Sequence, residues 1–171
     1  MKWILLVAGI LVGLVAFVAI IGVLLPKAHV ATRAARFRQS PESIWKTITD
    51  VDAMTTWRPG LQSIERLPDR NGMPAWIETS SMGKMPIEVT EWTPPRRMVT
   101  RIADPSLPFG GTWTYEISAT GGATLRITEN GEIYNPLFRF MARFVFGYTS
   151  TMEDYLKGLG KKFGETVVPE S

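Results

Sequence analysis

Residues 3–25 carry no charged side chain and are built almost wholly of Ile, Leu, Val, Ala, Phe and Gly. As a helix rising ~1.5 Å per residue they reach ~34 Å, enough to cross a ~30 Å hydrocarbon core. Pro26 and Lys27 end the run, and Trp3 suits the aromatic belt at a bilayer surface. Residues 1–27 therefore read as a transmembrane anchor, 28–167 as one domain and 168–171 as a disordered tail. The competing reading is a cleaved signal peptide, whose apolar stretch usually runs ~7–15 residues and ends at a small-x-small site. This run is longer and no such site follows it, which favours an anchor and a single-pass membrane protein. The side of the soluble domain stays open. Lys27, Arg33, Arg36 and Arg38 favour a cytoplasmic domain, but the arginines belong to the first strand and count for little. Gly9 and Gly13 have the G-x-x-x-G spacing that lets two helices approach closely, which fits a homodimer contact as well as the ordinary glycine content of membrane helices.

The remaining roughly 145 residues suit one compact domain, large enough to bury a core without disulfides or metals. There is no cysteine and only one histidine, His29. Thiolate sites, cysteine nucleophiles, histidine metal clusters and Ser-His-Asp triads are thereby set aside, and no metal or cofactor is expected. The net charge is +3 with no dense basic run, so nucleic acid is not an expected partner.

Along this part, a strand over residues 30–38 leads to Ser40-Pro41-Glu42, a cap residue, a first-turn proline and an acid near the helix dipole. Ile44, Trp45 and Ile48 give that helix its apolar side, and a second short helix over residues 50–57 is stopped by Pro59-Gly60. Strand-like stretches follow at 61–67, 75–82, 87–92, 98–103, 112–118 and 123–134, separated by turn signals such as Asn71-Gly72, Pro94-Pro95 and Gly121-Gly122. Short connections favour antiparallel pairing. Trp113, Tyr115 and Ile117 alternate with polar neighbours, as do Leu125 and Ile127, the mark of a sheet with one buried face. From Asn135-Pro136 the period changes: Leu137, Met141, Phe144, Tyr148, Tyr155, Leu159 and Phe163 recur mostly at three- and four-residue steps. One long amphipathic helix is expected, with Gly147 able to bend it. A curved sheet needs a cover for its concave face, and this helix is the only element long enough.

The order of these pieces resembles the START-like superfamily, also called SRPBCC, over nearly all of residues 30–165. The resemblance is carried by Arg36-Phe-Arg-Gln-Ser-Pro-Glu-Ser-Ile-Trp-Lys-Thr-Ile-Thr-Asp50, by Trp57-Arg-Pro, and by Val89-Thr-Glu-Trp-Thr-Pro-Pro-Arg-Arg-Met98. Gly111-Thr-Trp-Thr-Tyr115, Thr128-Glu-Asn-Gly131, Asn135-Pro-Leu-Phe-Arg-Phe140 and Tyr155-Leu-Lys-Gly-Leu159 complete it. It implies an α+β helix-grip fold, a seven-stranded antiparallel sheet around a C-terminal helix with a cavity between them. It implies a lipid or other apolar small molecule as partner, and in a minority of members cyclisation, dehydration or hydrolysis.

Candidate ligand-binding residues are Trp57, Trp76, Trp113, Tyr115, Met141, Phe144 and Tyr148, large apolar side chains with occasional polar tips. Any one of them could equally be core packing. Phe138, Phe140, Phe144, Val145 and Phe146 make the start of the last helix apolar on several sides, beside Arg139 and Arg143. Such a segment forms the cavity mouth, meets the bilayer, or is covered by the loop at 105–110. Acids are the only plausible catalysts: Glu78, Glu88, Glu116, Glu129 and Glu132 lie on expected strands, with Arg101 and Arg126 as cross-strand partners. On a sheet with one wet face most of these acids point to solvent; Glu129 stands apart because it shares the parity of Leu125 and Ile127. No nucleophile, base and orienting group come together, so no catalytic residue is assigned. The leading reading is a membrane-tethered binder of an apolar molecule. A cyclase- or dehydratase-like enzyme using a cavity Glu or Tyr, and a membrane-anchored interaction module, are the alternatives.

Overall fold

The computed structural model describes residues 2–119 and 122–171. Its elements are α1 (Lys2–Leu24), β1 (Ala28–Phe37), α2 (Pro41–Thr49), a 3₁₀ turn (Met54–Thr56), β2 (Leu61–Arg70), β3 (Met73–Ser80), β4 (Gly83–Thr93), β5 (Arg97–Ile102), β6 (Phe109–Ala119), β7 (Ala123–Ile133), α3 (Pro136–Met141), a π-helical turn (Ala142–Phe146) and α4 (Ser150–Lys162). The seven strands form one antiparallel sheet in the order β1-β7-β6-β5-β4-β3-β2. Every link from β2 to β7 is a hairpin; β1 reaches the far side because α2 and the 3₁₀ turn carry the chain across before β2 begins.

Local chemistry sets the boundaries. The Ser40 side chain accepts from the Ser43 amide at 3.2 Å and Pro41 opens α2, while Ile44, Trp45 and Ile48 turn inward. The second helix expected over 50–57 shortens to the 3₁₀ turn. Asn71, at φ +52, and Gly72, at φ +74, make the tight β2–β3 turn. Gly121 of the expected Gly121-Gly122 turn lies outside the described residues.

Sheet and helices are not packed evenly. At one end Ile44 and Ile48 of α2 and Met152, Leu156 and Leu159 of α4 close on Phe37, Ile117, Leu125 and Ile127, all buried. At the other end the long helix expected from Asn135 is broken. Gly147 takes φ +74 and ψ 166, a conformation open in practice to glycine alone. The chain restarts at Thr149, whose Oγ1 and carbonyl oxygen both contact Glu153. One amphipathic period thus becomes two rods. α4 fills the grip, while α3 and the π turn swing away from it.

The residues after Val167, expected to be a disordered tail, cover a sheet edge. Glu170 exchanges both backbone hydrogen bonds with Ala34, at 2.9 and 2.8 Å. The outer edge of β1 offers unpaired N–H and C=O groups, and the chain end satisfies two of them.

Candidate functional site: a cavity between sheet and broken helix

The swing of α3 leaves a hollow of about 760 Å³ between the concave face of the sheet and the residues joining α3 to α4. That lies within the ~300–1,000 Å³ usual for small-molecule sites. Its wall is chiefly apolar. Strands β3 to β6 contribute Trp76, Met85, Ile87, Met98, Ile102, Trp113 and Tyr115, and the helical side contributes Phe138, Met141, Phe146 and Tyr148. All the strand residues come from the inward parity of their strands.

Five of the seven candidates lie on this wall: Trp76, Trp113, Tyr115, Met141 and Tyr148. Trp57 does not. It is buried behind the wall, its ring edge-on to Tyr155 with centroids 5.0 Å apart, and belongs to the packed end. Phe144 does not either. The π turn directs it outward, 59% exposed against Phe140. The expected 3.6-residue period fails there, because a π turn rotates each side chain away from the α-helical stripe.

Two polar groups interrupt the apolar wall. In the first, Arg58 donates from Nη1 to Glu78 Oε1 at 2.5 Å, and Trp76 Nε1 donates to the same oxygen at 3.1 Å. The Arg58 guanidinium lies 5.4 Å from the centre of the Tyr155 ring. Burial is the largest influence and opposes the Arg58 charge, but the Glu78 carboxylate and the Tyr115 and Tyr155 hydroxyls together outweigh it and raise its pKa. Burial also pushes the Tyr115 hydroxyl up, with Arg58 pulling the other way, so this tyrosine stays neutral. In the second group, Trp113 Nε1 donates to Glu129 Oε2 at 3.0 Å and His29 Nε2 lies 3.2 Å from Oε1. The His29 ring stacks on Tyr148 at 4.0 Å. Register explains this cluster. Trp113 stands opposite Glu129, and His29 stands opposite Gly131, where a Cβ would lie 2.3 Å from its ring. Glu129 thus faces inward, as its parity with Leu125 and Ile127 requires.

The remaining acids have other partners. Glu88 binds Arg70 at 3.1 Å and Arg101, its neighbour across β4 and β5; Glu116 binds Arg97 at 2.6 Å. Glu132, at the exposed rim, accepts from the Tyr134 hydroxyl at 2.7 Å. Arg58 and His29 were not singled out as cavity residues from the sequence. Arg58 sits in the quoted Trp57-Arg58-Pro59 but faces Glu78 only because of how the chain crosses to β2. His29 shares parity with Ala31, Ala35 and Phe37, and that signal was available.

Fold and hollow together define a helix-grip protein with a chiefly apolar hollow, open on one side, between sheet and helix. The chain belongs to the polyketide cyclase / dehydrase and lipid transport family, which it matches over residues 28–164. Solved structures with the same fold include a START superfamily protein from Mycobacterium smegmatis, 18% identical, covering 78% of this chain and 96% of that one at TM-score 0.64. A conserved protein from Geobacillus kaustophilus is 15% identical, covering 82% and 100% at TM-score 0.63. The di-domain ARO/CYC StfQ of the steffimycin biosynthetic pathway is 12% identical, covering 80% of this chain and 52% of its own at TM-score 0.63. At these identities the likeness is one of fold. No curated protein is similar to the chain at a significant level.

α1 is long and apolar enough to cross a membrane, a property it shares with signal sequences near an N-terminus. Gly9 and Gly13 lie on its exposed surface with nothing within 4 Å of where a Cβ would be.

Proposed function

We propose that this protein is a membrane-tethered binder of an apolar small molecule or lipid, held in the hollow against Trp76, Trp113, Tyr115, Met141 and Tyr148. The observation that carries the reading is a hollow of about 760 Å³ whose wall is mainly aromatic and aliphatic. Packed cores normally leave few voids larger than a water molecule. Arg58, Trp76 and Thr100 at one place on the wall, and His29 with Glu129 at another, give an apolar ligand places to direct a carbonyl or hydroxyl. Tethering is supported by the close fit of α1 on α3, where Gly22 packs on Pro136 and Arg139 donates to the Leu25 carbonyl at 2.8 Å. Cleavage after Leu25 would discard both contacts.

The test uses the full chain in phosphatidylcholine nanodiscs and an environment-sensitive fluorescent fatty acid. The chain is expected to bind the probe above the level of empty discs. Ile102→Trp, which fills the hollow, is expected to lose that excess at an unchanged melting temperature. Equal binding by both proteins would reject the cavity as the site.

A cyclase- or dehydratase-like reaction is the second reading, favoured by the carboxylates of Glu78 and Glu129 on the cavity wall. Against it, Glu78 is held by Arg58 and Trp76, and Glu129 by His29 and Trp113. Among the described residues the Glu–Tyr hydrogen bond of this region, Glu132 to Tyr134, lies at the exposed rim. Deuterium uptake into the acidic C–H of a β-diketone probe, abolished in Glu129→Gln, would move the assignment to this reading.

A further inference from the structure

The segment over residues 137–146 faces two ways. Phe138, Met141, Ala142 and Phe146 line the hollow. Yet Leu137 is 40% exposed, Phe144 59% and Val145 58%, and none of these lines the hollow, so this segment also presents bare apolar surface to the outside. The loop at 105–110, a candidate cover in sequence, reaches only the inner side: Leu107, Phe109 and Gly110 line the same hollow and leave those residues open.

The position of this surface is fixed by α1. A Cβ on Gly22 would stand 2.0 Å from the Pro136 carbonyl oxygen, so the two backbones are in direct contact. Arg139 is buried and donates from Nη1 to the carbonyls of Leu25, at 2.8 Å, and Val23, at 3.4 Å. These are carbonyls that the end of a helix leaves without partners. Val18, Ala19, Ile21 and Leu25 are partly covered as well. From Val18 to Leu25 is ~10 Å along a helix. If α1 crosses the bilayer, α3 therefore lies beside the last ~10 Å of that rod and shares its depth. Charge agrees with that depth. No Asp or Glu occurs between Glu132 and Glu153, while Lys27 and Arg143 are exposed beside the apolar residues. Basic side chains flanking phenylalanines suit the headgroup boundary, where their stems reach up to the lipid phosphates.

We propose that residues 137–146 form a lip immersed in the leaflet that holds the C-terminal end of α1, so that the hollow opens sideways into the acyl layer. The occupant of this surface is lipid. The cargo of the hollow is then a leaflet-soluble amphiphile that passes between bilayer and cavity without crossing water. This rests on the tethered reading above and adds where the mouth lies and from what phase the ligand comes.

The chain has no cysteine, so single labels are clean. Full-length Val145→Cys and Phe146→Cys, carrying an environment-sensitive fluorophore in phosphatidylcholine vesicles, are expected to emit to the blue of Thr90→Cys on the outer sheet surface. Doxyl-labelled phosphatidylcholine is expected to quench them about as strongly as Leu14→Cys in the middle of α1. All four side chains are exposed, so labelling disturbs no core. Quenching at Leu14→Cys with water-like emission at both lip positions would overturn the lip and leave the anchor standing. No quenching at Leu14→Cys would remove the anchor and the lip together.

Discussion

Arg58 and Glu78 set the chemistry of the inner wall, and their side chains are only 14% and 7% exposed. Removing one charge of such a pair leaves the other buried and uncompensated, which typically costs ~3–5 kcal/mol. Glu78→Gln is therefore expected to lower stability by about 3 kcal/mol, read from urea unfolding. Arg58→Met combined with Glu78→Leu should recover most of the loss, because no orphan charge remains. If the double variant is no more stable than Glu78→Gln, the pair is not the source of the penalty. At this scale the sequence was informative where side chains alternate. Trp113, Tyr115 and Glu129 face inward because a strand offers two directions only, and the neighbours of each already show which is buried. Arg58 lies on an irregular crossing, where no period exists to consult.

The break in the C-terminal rod at Gly147 is what opens the hollow, and α3, on its near side, has a start of its own. Asn135 caps α3, accepting from the Leu137 and Phe138 amides at 2.9 and 3.3 Å. Gly147 supplies the positive φ that turns the chain toward α4. Asn135→Ala should cost ~1 kcal/mol in thermal stability while ligand binding is kept, as for a lost cap. Gly147→Ala should cost ~1–3 kcal/mol, because a Cβ strains that backbone, and should also weaken probe binding, since Gly147 lines the cavity. Equal effects of the two substitutions on binding would show that the break does not shape the wall. A glycine within an apolar period was visible in the sequence. That it ends one helix rather than bending it depends on α3 having α1 to pack against, a contact between residues more than a hundred positions apart.

For the whole molecule, acid is the natural probe. Hydrogen bonds from Arg101, joined by Arg70, hold the Glu88 carboxyl below its ordinary 4.5, and Arg33 with Thr149 does the same for Glu153, tying edge strand β1 to α4. A carboxyl depressed in the folded state contributes stability that is present above its ordinary value and lost as pH falls through the folded one. The melting temperature is therefore expected to hold above pH 4.5 and to fall below it. The fall should be shallower in Glu88→Gln, and identical slopes in both proteins would argue against Glu88 as a contributor. What the sequence determined by itself was whatever is periodic or local: the uncharged rod, the strand faces, the Ser40 cap, and the glycine turns. Each of these follows from a few neighbouring residues and the regular geometry of helix or strand. Tertiary structure alone decided that the gripping helix divides, that Trp57 and Phe144 leave the cavity wall, that Arg58 meets Glu78, and that the chain end closes β1. Each of those depends on which distant surfaces come into contact, and no local period or short motif encodes that.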